Sequence, residues 1–191
     1  MYTRIRMAHI IRRILDLDER LSERLRITNG SRLRTAAAFF AHSGDSWFWM
    51  IGLVLVWLIS FFTTREWCYL CILMAACIVV QALFVLSIKF LIRRRRPEGE
   101  WGEIYRRGDP HSFPSGHATR AVMLAVIAIG FGPSWLAWTL VVWAPLVCLA
   151  RIMLGLHYIS DILAGAVLGV LLGWLLPELM VWVLLWFPLM Y

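Results

Sequence analysis

Two stretches, Ser46 to Thr64 and Trp67 to Ile88, carry no charged side chain. Each has the roughly 20 residues that a helix needs to cross the hydrocarbon core of a bilayer. Predominantly apolar sequence resumes after a polar connection and reaches the C-terminus. The chain has 191 residues, of which 61% are hydrophobic and 16% charged, with a mean hydropathy of +0.72. Soluble domains average about 45–50% apolar and about 25% charged, so the excess does not fit inside one small core. The fold class that follows is all-α: a polytopic membrane helix bundle. About five spanning helices of ~20 residues would use roughly 100 residues, leaving no room for a second folded domain.

The first spanning helix falls within Ser46 to Thr64, and the second starts at Trp67. The second is expected to continue through Lys89 into the arginine run and to stop at Pro97. A polar connection then runs from Arg93 to Phe113. A third helix is expected from Ser115 to about Phe131, where Gly130, Gly132 and Pro133 mark a turn. A fourth is expected over Ser134 to Ala150 and a fifth over Tyr158 to Leu176. The tryptophan-rich tail from Leu179 to Tyr191 is too short to span alone and reads as interfacial. Gly165, Gly169 and Gly173 recur every four residues, which allows another helix to approach closely.

The net charge is +7 and the pI about 9.8. In so apolar a chain, the basic residues must crowd into the few segments outside the bilayer, which favours anionic headgroups or phosphates as partners. No zinc-finger spacing, recognition-helix pattern or stacking platform accompanies the charge, so nucleic acid is not an expected partner. Residues 1–34 hold nine arginines. Ile10, Ile14, Leu17, Leu21 and Leu25 lie on one helical face, while Arg12, Arg13, Arg20 and Arg24 lie elsewhere. This basic amphipathic segment reads as an interfacial helix on anionic lipid, with a solvated basic arm as the alternative. It lacks the short apolar core and cleavage site of a signal peptide. Cys68 and Cys71 form a CxxC with no second Cys or His pair, so all four cysteines read as packing residues and no metal is expected.

Ionisable residues inside membrane helices or at their ends are costly and mark function by default. Here they form three clusters: Lys89 with Arg93 to Pro97, His111 to His117, and Arg151 with His157 and Asp161. Counting helices places all three at one membrane face. Lys89 and Arg96 are seven apart and would share a helix face, one supplying a point charge and the other a bidentate fork to an anion. The plainer reading of the arginine run is headgroup anchoring. Pro114-Ser115-Gly116-His117 reads as a helix start, with Ser115 as cap, Gly116 admitting an anion to the backbone and His117 placed to protonate a leaving oxygen. His157 and Asp161 share a face if the fifth helix begins near Gly155 or Leu156. The carboxylate would then orient the ring and leave its other nitrogen free to attack phosphorus. A His/Asp hydrogen bond between helices, with Arg151 snorkelling, is the plainer account.

These residues resemble the type 2 phosphatidic acid phosphatase family, which shares its fold and site with vanadium haloperoxidases and acid phosphatases. The pattern is Lys, six residues, Arg-Pro; then Pro-Ser-Gly-His; then Ser-Arg, five residues, His, three residues, Asp. It reads here as Lys89 to Arg96-Pro97, Pro114 to His117, and Ala150-Arg151 to His157 to Asp161, within a match covering roughly residues 36–176. The resemblance implies a metal-independent, cofactor-free phosphatase of lipid phosphates, with residues 35–191 as a single membrane-embedded domain. It implies His157 as nucleophile, Asp161 as its orienting partner and His117 as the acid. Lys89, Arg96, Ser115, Gly116 and Arg151 would then hold the phosphoryl oxygens. Ala150 stands where the family has serine, removing one hydroxyl near the site. Gly44-Asp45 resembles a segment found before the first shared helix and reads as a turn.

The implied substrate is an anionic phospholipid or polyprenyl phosphate in the bilayer. Bacterial members that act on undecaprenyl diphosphate, phosphatidylglycerophosphate or lipid A look similar. A vanadate-dependent peroxidase would use the same clamp, and a non-catalytic lipid-binding protein would need none of the paired His and Asp residues. Glu98, Glu100, Glu103 and Asp109 would pair with Arg93 to Arg95, Arg106 and Arg107, or position a headgroup. The positive-inside rule would make the site's face cytoplasmic, whereas the resemblance implies an extracytoplasmic site in a bacterial cell membrane.

Overall fold

The computed structural model describes residues 2–27, 31–98 and 109–186. Among them the chain forms seven helices: α1 (Tyr2–Arg24), α2 (Arg32–Ser43), α3 (Ser46–Phe62), α4 (Cys68–Ile92), α5 (Gly116–Phe131), α6 (Ser134–Met153) and α7 (Ile159–Trp186). The five apolar helices of the sequence reading are all present, as α3 to α7. Of these, α4, α6 and the Ile159–Met180 part of α7 are long and apolar enough to cross a bilayer, and α2 and α3 meet at a 61° bend. Helix α5 has 16 residues, about 24 Å at 1.5 Å per residue. It packs among α4, α6 and α7, so protein rather than lipid surrounds most of it.

The core joins Leu73, Met74, Cys77 and Ile78 of α4 to Met123, Leu124 and Ile127 of α5, with Ala144 and Val147 of α6 and Leu172 of α7. The outward faces are as apolar as the core: Ile59, Leu83, Trp138, Val142 and Trp174 are all more than 60% exposed. A water-facing surface does not carry such a belt, whereas a lipid-facing one requires it. The chain is a multi-pass membrane protein.

Helix α7 lies close against α5 along its glycine stripe. A Cβ on Gly165 would stand 2.6 Å from the Ser115 carbonyl oxygen, and one on Gly169 would stand 2.5 Å from that of Thr119. A Cβ on Gly173 would stand 2.7 Å from Val126 Cβ. An alanine gains at most about 1 kcal/mol of helix propensity, whereas overpacking against backbone costs typically ~1–3 kcal/mol. Gly169→Ala should therefore lower the thermal midpoint in detergent by several degrees; an unchanged midpoint would mean that the helices part without cost.

Helix boundaries differ from expectation at four places. Helix α4 ends at Ile92 instead of running to Pro97, with Arg93 in the left-handed region at φ 53°. Four arginines on one turn would repel one another, and Pro97 disfavours helical geometry at Arg96. Helix α6 continues past Ala150 to Met153. Helix α7 starts at Ile159, so His157 precedes it, and it runs through Pro177 to Trp186 instead of stopping at Leu176. Residues 179–186 of the expected tail thus belong to that helix, and 187–191 lie outside the described residues. Gly155, at φ 66°, makes the turn between α6 and α7.

Candidate active site

Because α4 stops early, Lys89 and Arg96 do not share a helix face. They meet by another route. The segment after α4 runs extended, pairing Arg95 with His111 in an antiparallel bridge, and the Ser112 N–H donates to the Arg94 carbonyl at 2.9 Å. Pairing folds the polar connection back over the helix end. The buried Lys89 Nζ donates to the Asp109 carboxylate and, at 3.1 Å, to the His111 carbonyl. Arg96 donates from Nη2 to Asp109 Oδ2 and from Nε to the Asp109 carbonyl, each at 2.7 Å. Two cations from different segments thus grip one carboxylate. The expected pairing of Asp109 with the outer arginines is replaced by this one; Glu100, Glu103, Arg106 and Arg107 lie outside the described residues.

Arg96 also reaches the third cluster. Its Nη1 donates to the Leu156 carbonyl at 3.1 Å and lies 3.3 Å from His157 Nε2. On the far side of the ring, His157 Nδ1 lies 3.5 Å from Asp161 Oδ2. His157 need not be on α7 for this pairing, because Asp161 reaches back from the first turn and its Oδ2 accepts the Tyr158 N–H at 3.0 Å. Both side chains are buried. Burial pushes the His157 imidazole well below its usual value of 6.5, and the Arg96, Arg151 and Lys89 charges push it the same way, against an opposing Ser112 backbone contact. The ring is therefore neutral at pH 7. A donor facing Nε2 marks that nitrogen as the one with the lone pair, and the carboxylate beside Nδ1 suits it to carry the proton.

Ser115 caps α5, its hydroxyl accepting the Ala118 N–H at 3.5 Å, and its own N–H donates to the Asp161 carbonyl at 3.1 Å. This backbone bond couples the Pro-Ser-Gly-His turn directly to the start of α7. His117 Nε2 lies 2.6 Å from Asp45 Oδ1, and Asp45 Oδ2 lies 3.3 Å from His42 Nδ1. Asp45 sits in the bend between α2 and α3, which Arg120 pins by donating from Nε to the Gly44 carbonyl at 2.9 Å and from Nη1 to Ser46 Oγ at 2.6 Å. The Gly44-Asp45 turn is present, and it also brings a carboxylate to His117. Lys89, Asp109, Gly116 and His117 line one open pocket of about 170 Å³.

Arg151, in the last turn of α6, is fully buried, and its charge acts on His157 and Arg96. Ala150 packs with Ala37 and Ala41 of α2 and with Leu154 and Leu156. At this position a methyl group continues an apolar contact.

Sequence reasoning missed Asp109, Asp45 and Arg94. Arg94 does not anchor a headgroup: its Nη1 donates to Asp161 Oδ1 at 2.7 Å. Arg93 and Arg95 are exposed, as anchors would be. The Gly44-Asp45 resemblance and the i,i+3 spacing of His42 and Asp45 were the signals available for the Asp45 contact.

This combination of a neutral buried imidazole, a carboxylate behind it, a cation pair before it and a second histidine on the pocket that Lys89 lines suits nucleophilic transfer of an anionic group. The PAP2 superfamily model matches residues 66–185. Over 65 residues the chain is 43% identical to a lipid A 4'-phosphatase of Bacteroides thetaiotaomicron, covering 34% of this chain and 29% of that one. Over 106 residues it is 37% identical to a decaprenylphosphoryl-5-phosphoribose phosphatase of Mycobacterium tuberculosis, covering 55% and 56%. These matches span about a third and about half of the curated relatives' lengths. Among solved structures, the first transmembrane PAP2-type phosphatidylglycerolphosphate phosphatase from Bacillus subtilis superposes with a TM-score of 0.71 at 25% identity, over 87% of this chain and 85% of that one. Aquifex aeolicus LpxE superposes with a TM-score of 0.63 at 21% identity, over 83% and 93%, and shares the fold. With its matched region running from the foot of α4 to the end of α7 and containing all three polar clusters, the chain belongs to the PAP2 superfamily.

Proposed function

We propose that this protein is an integral membrane lipid phosphatase that removes a terminal phosphate from a lipid mono- or diphosphate through a phosphohistidine. The observation that carries this reading is the position of His157, with Nε2 against Arg96 and Nδ1 against Asp161. His157 Nε2 attacks phosphorus and the bond from phosphorus to the lipid oxygen breaks, while His117 gives its proton to that oxygen. Asp45, 2.6 Å from Nε2 of His117, stabilises the imidazolium form that carries this proton. Water then attacks the phosphohistidine and gives a proton to His117; phosphate leaves and His157 is restored. Lys89, Arg96, Arg151, Ser115 and the Gly116 amide hold the phosphoryl oxygens as charge builds on them.

The named activities of the relatives support a lipid phosphate as substrate, and the lipid-facing belt supports delivery of that substrate from the bilayer. The proposed location is a bacterial cell membrane with the site on the extracytoplasmic side. The test is phosphate release by purified protein in detergent with a chelator present. The substrates are undecaprenyl diphosphate, phosphatidylglycerophosphate, phosphatidic acid and lipid A. Chelator-resistant, vanadate-sensitive release is expected from at least one of them, and release from none overturns the reading.

Asp109 fills the place proposed for the substrate's phosphoryl group. A phosphate must displace this carboxylate from Lys89 and Arg96. Asp109→Asn removes the competing charge, and inhibition by vanadate should strengthen several-fold, read as a lower Ki; an unchanged Ki would show that the carboxylate and the phosphate do not compete.

A further inference from the structure

Among the described side chains of α1, two are buried, Asp18 and Ser22, and both are polar. A helix that packs on a protein normally buries its apolar face. Here Ile10, Ile14, Leu17, Leu21 and Leu25 are all at least 40% exposed, so the apolar face is left for lipid and docking rests on polar contacts. Those contacts converge on the start of α7. Asp18 Oδ1 accepts the Ser160 N–H at 3.0 Å, and Ser22 Oγ accepts the Ile159 N–H at 3.0 Å. The first amides of α7, which a helix ordinarily caps with its own preceding residue, are thus capped by another helix.

Asp18 Oδ2 also accepts from Arg94 Nη2 at 2.7 Å, while Nη1 of the same guanidinium donates to Asp161 Oδ1 at 2.7 Å and to Ser160 Oγ at 2.6 Å. Arg94 in turn lies over the Tyr158 ring, 4.2 Å from its centroid. A guanidinium forked between two carboxylates has its plane fixed by both. From Asp18 the chain of contacts runs through Arg94 and Asp161 to the His157 imidazole.

We propose that Asp18 is a positioning residue for the nucleophile: α1, which lies outside the matched family region, completes the active site by fixing Arg94 and the first turn of α7, and so the angle at which Asp161 meets His157. The inference rests on the proposed phosphatase reading and adds to it a part of the chain that the three motifs do not include. Removing the Asp18 charge frees one arm of Arg94 to swing, and the Asp161 carboxylate follows. Small misplacements of a reacting group are costly, on the order of 10²-fold for about 1 Å.

The experiment measures kcat and KM in detergent micelles, where attachment of α1 to a bilayer is not required, on the lipid phosphate that the substrate panel identifies. Asp18→Asn, nearly isosteric, should lower kcat by about tenfold or more with KM within about twofold. Arg94→Lys, which keeps a charge but cannot fork, should do the same. The double variant should be no worse than the more impaired single one, because both act through a single contact chain. Ile14→Ser, on the free apolar face, should leave kcat in micelles unchanged and lose activity only on vesicles. A folded Asp18→Asn with wild-type kcat overturns the inference while leaving the phosphatase reading intact. Losses in the double variant that multiply show α1 as a structural prop only and also overturn it. Where Asp18→Asn does not fold, Arg94→Lys decides: wild-type kcat in that variant overturns the inference. An inactive wild type removes the phosphatase reading itself.

Discussion

His157→Ala should lower kcat on the lipid phosphate by at least about 10⁴-fold, because in the proposed mechanism it removes the step by which the chain itself becomes phosphorylated. Water can still attack phosphorus held by the cations, so a residue of activity from binding and charge alone is expected. Three readouts separate loss of the nucleophile from loss of the fold. The variant should keep its helical circular dichroism and its vanadate binding, because Lys89, Arg96 and Arg151 remain. It should lose the acid-labile phosphoryl label that the proposed mechanism expects of the wild type on rapid quenching. Asp161→Asn should retain label at a much lower rate, since it spares the nucleophile and removes the group that orients it. Full activity in His157→Ala would falsify the phosphohistidine mechanism.

The pH profile follows from the same geometry. Attack needs neutral His157, and burial with three nearby cations places its titration well below the usual 6.5. The neutral form is therefore already dominant in mildly acid solution, and it is lost only when the pH falls through the lowered value. The acid limb of kcat/KM should accordingly lie below pH 6.5. A limb at or above that value would place His157 in a more open or more acidic setting than these contacts describe.

The bundle was legible in the sequence because bilayer physics leaves few choices. Runs of roughly 20 uncharged residues must become helices when no water is present to satisfy their backbone; α3 and α4 appear where two such runs are, and α5 to α7 take up the apolar sequence after the polar connection. The glycine stripe on α7 was legible too, since small residues every fourth position have one packing consequence. Helix ends were less so. The stop of α4 at Ile92 depends on repulsion among four arginines and on a left-handed Arg93, neither of which periodicity registers. Within the site, spacing brought together the groups that share a motif. It did not bring in Asp109, Asp45 or Asp18, because each reaches its partner from another segment through tertiary contact. Arg94 shows the limit most clearly. Arginines 93 to 96 look alike in sequence, yet Arg93 and Arg95 face outward, Arg94 binds two carboxylates and Arg96 faces His157.

That division of labour makes the arginine run the place for the second large effect. Arg96→Ala should lower kcat/KM by about 10²–10³-fold, the usual consequence of removing one preorganised donor from a developing oxyanion. Arg95→Ala, one residue earlier in the chain but exposed, should change it by less than about threefold, as an exposed charge does. The contrast excludes a general loss of positive potential, which both changes would cause alike. Arg96→Lys tests the form of the contact. Arg96 uses Nη1 toward Leu156 and His157 while Nε donates to the Asp109 carbonyl and Nη2 holds the anion now supplied by the Asp109 carboxylate. An ammonium keeps the charge, but it cannot span the anion and the nucleophile together. It should therefore recover about tenfold or less of the loss, with the deficit in kcat, because charge on the phosphoryl oxygens is greatest in the transition state. A lysine variant with wild-type kcat would mean that Arg96 supplies charge alone and does not align phosphate with His157 Nε2.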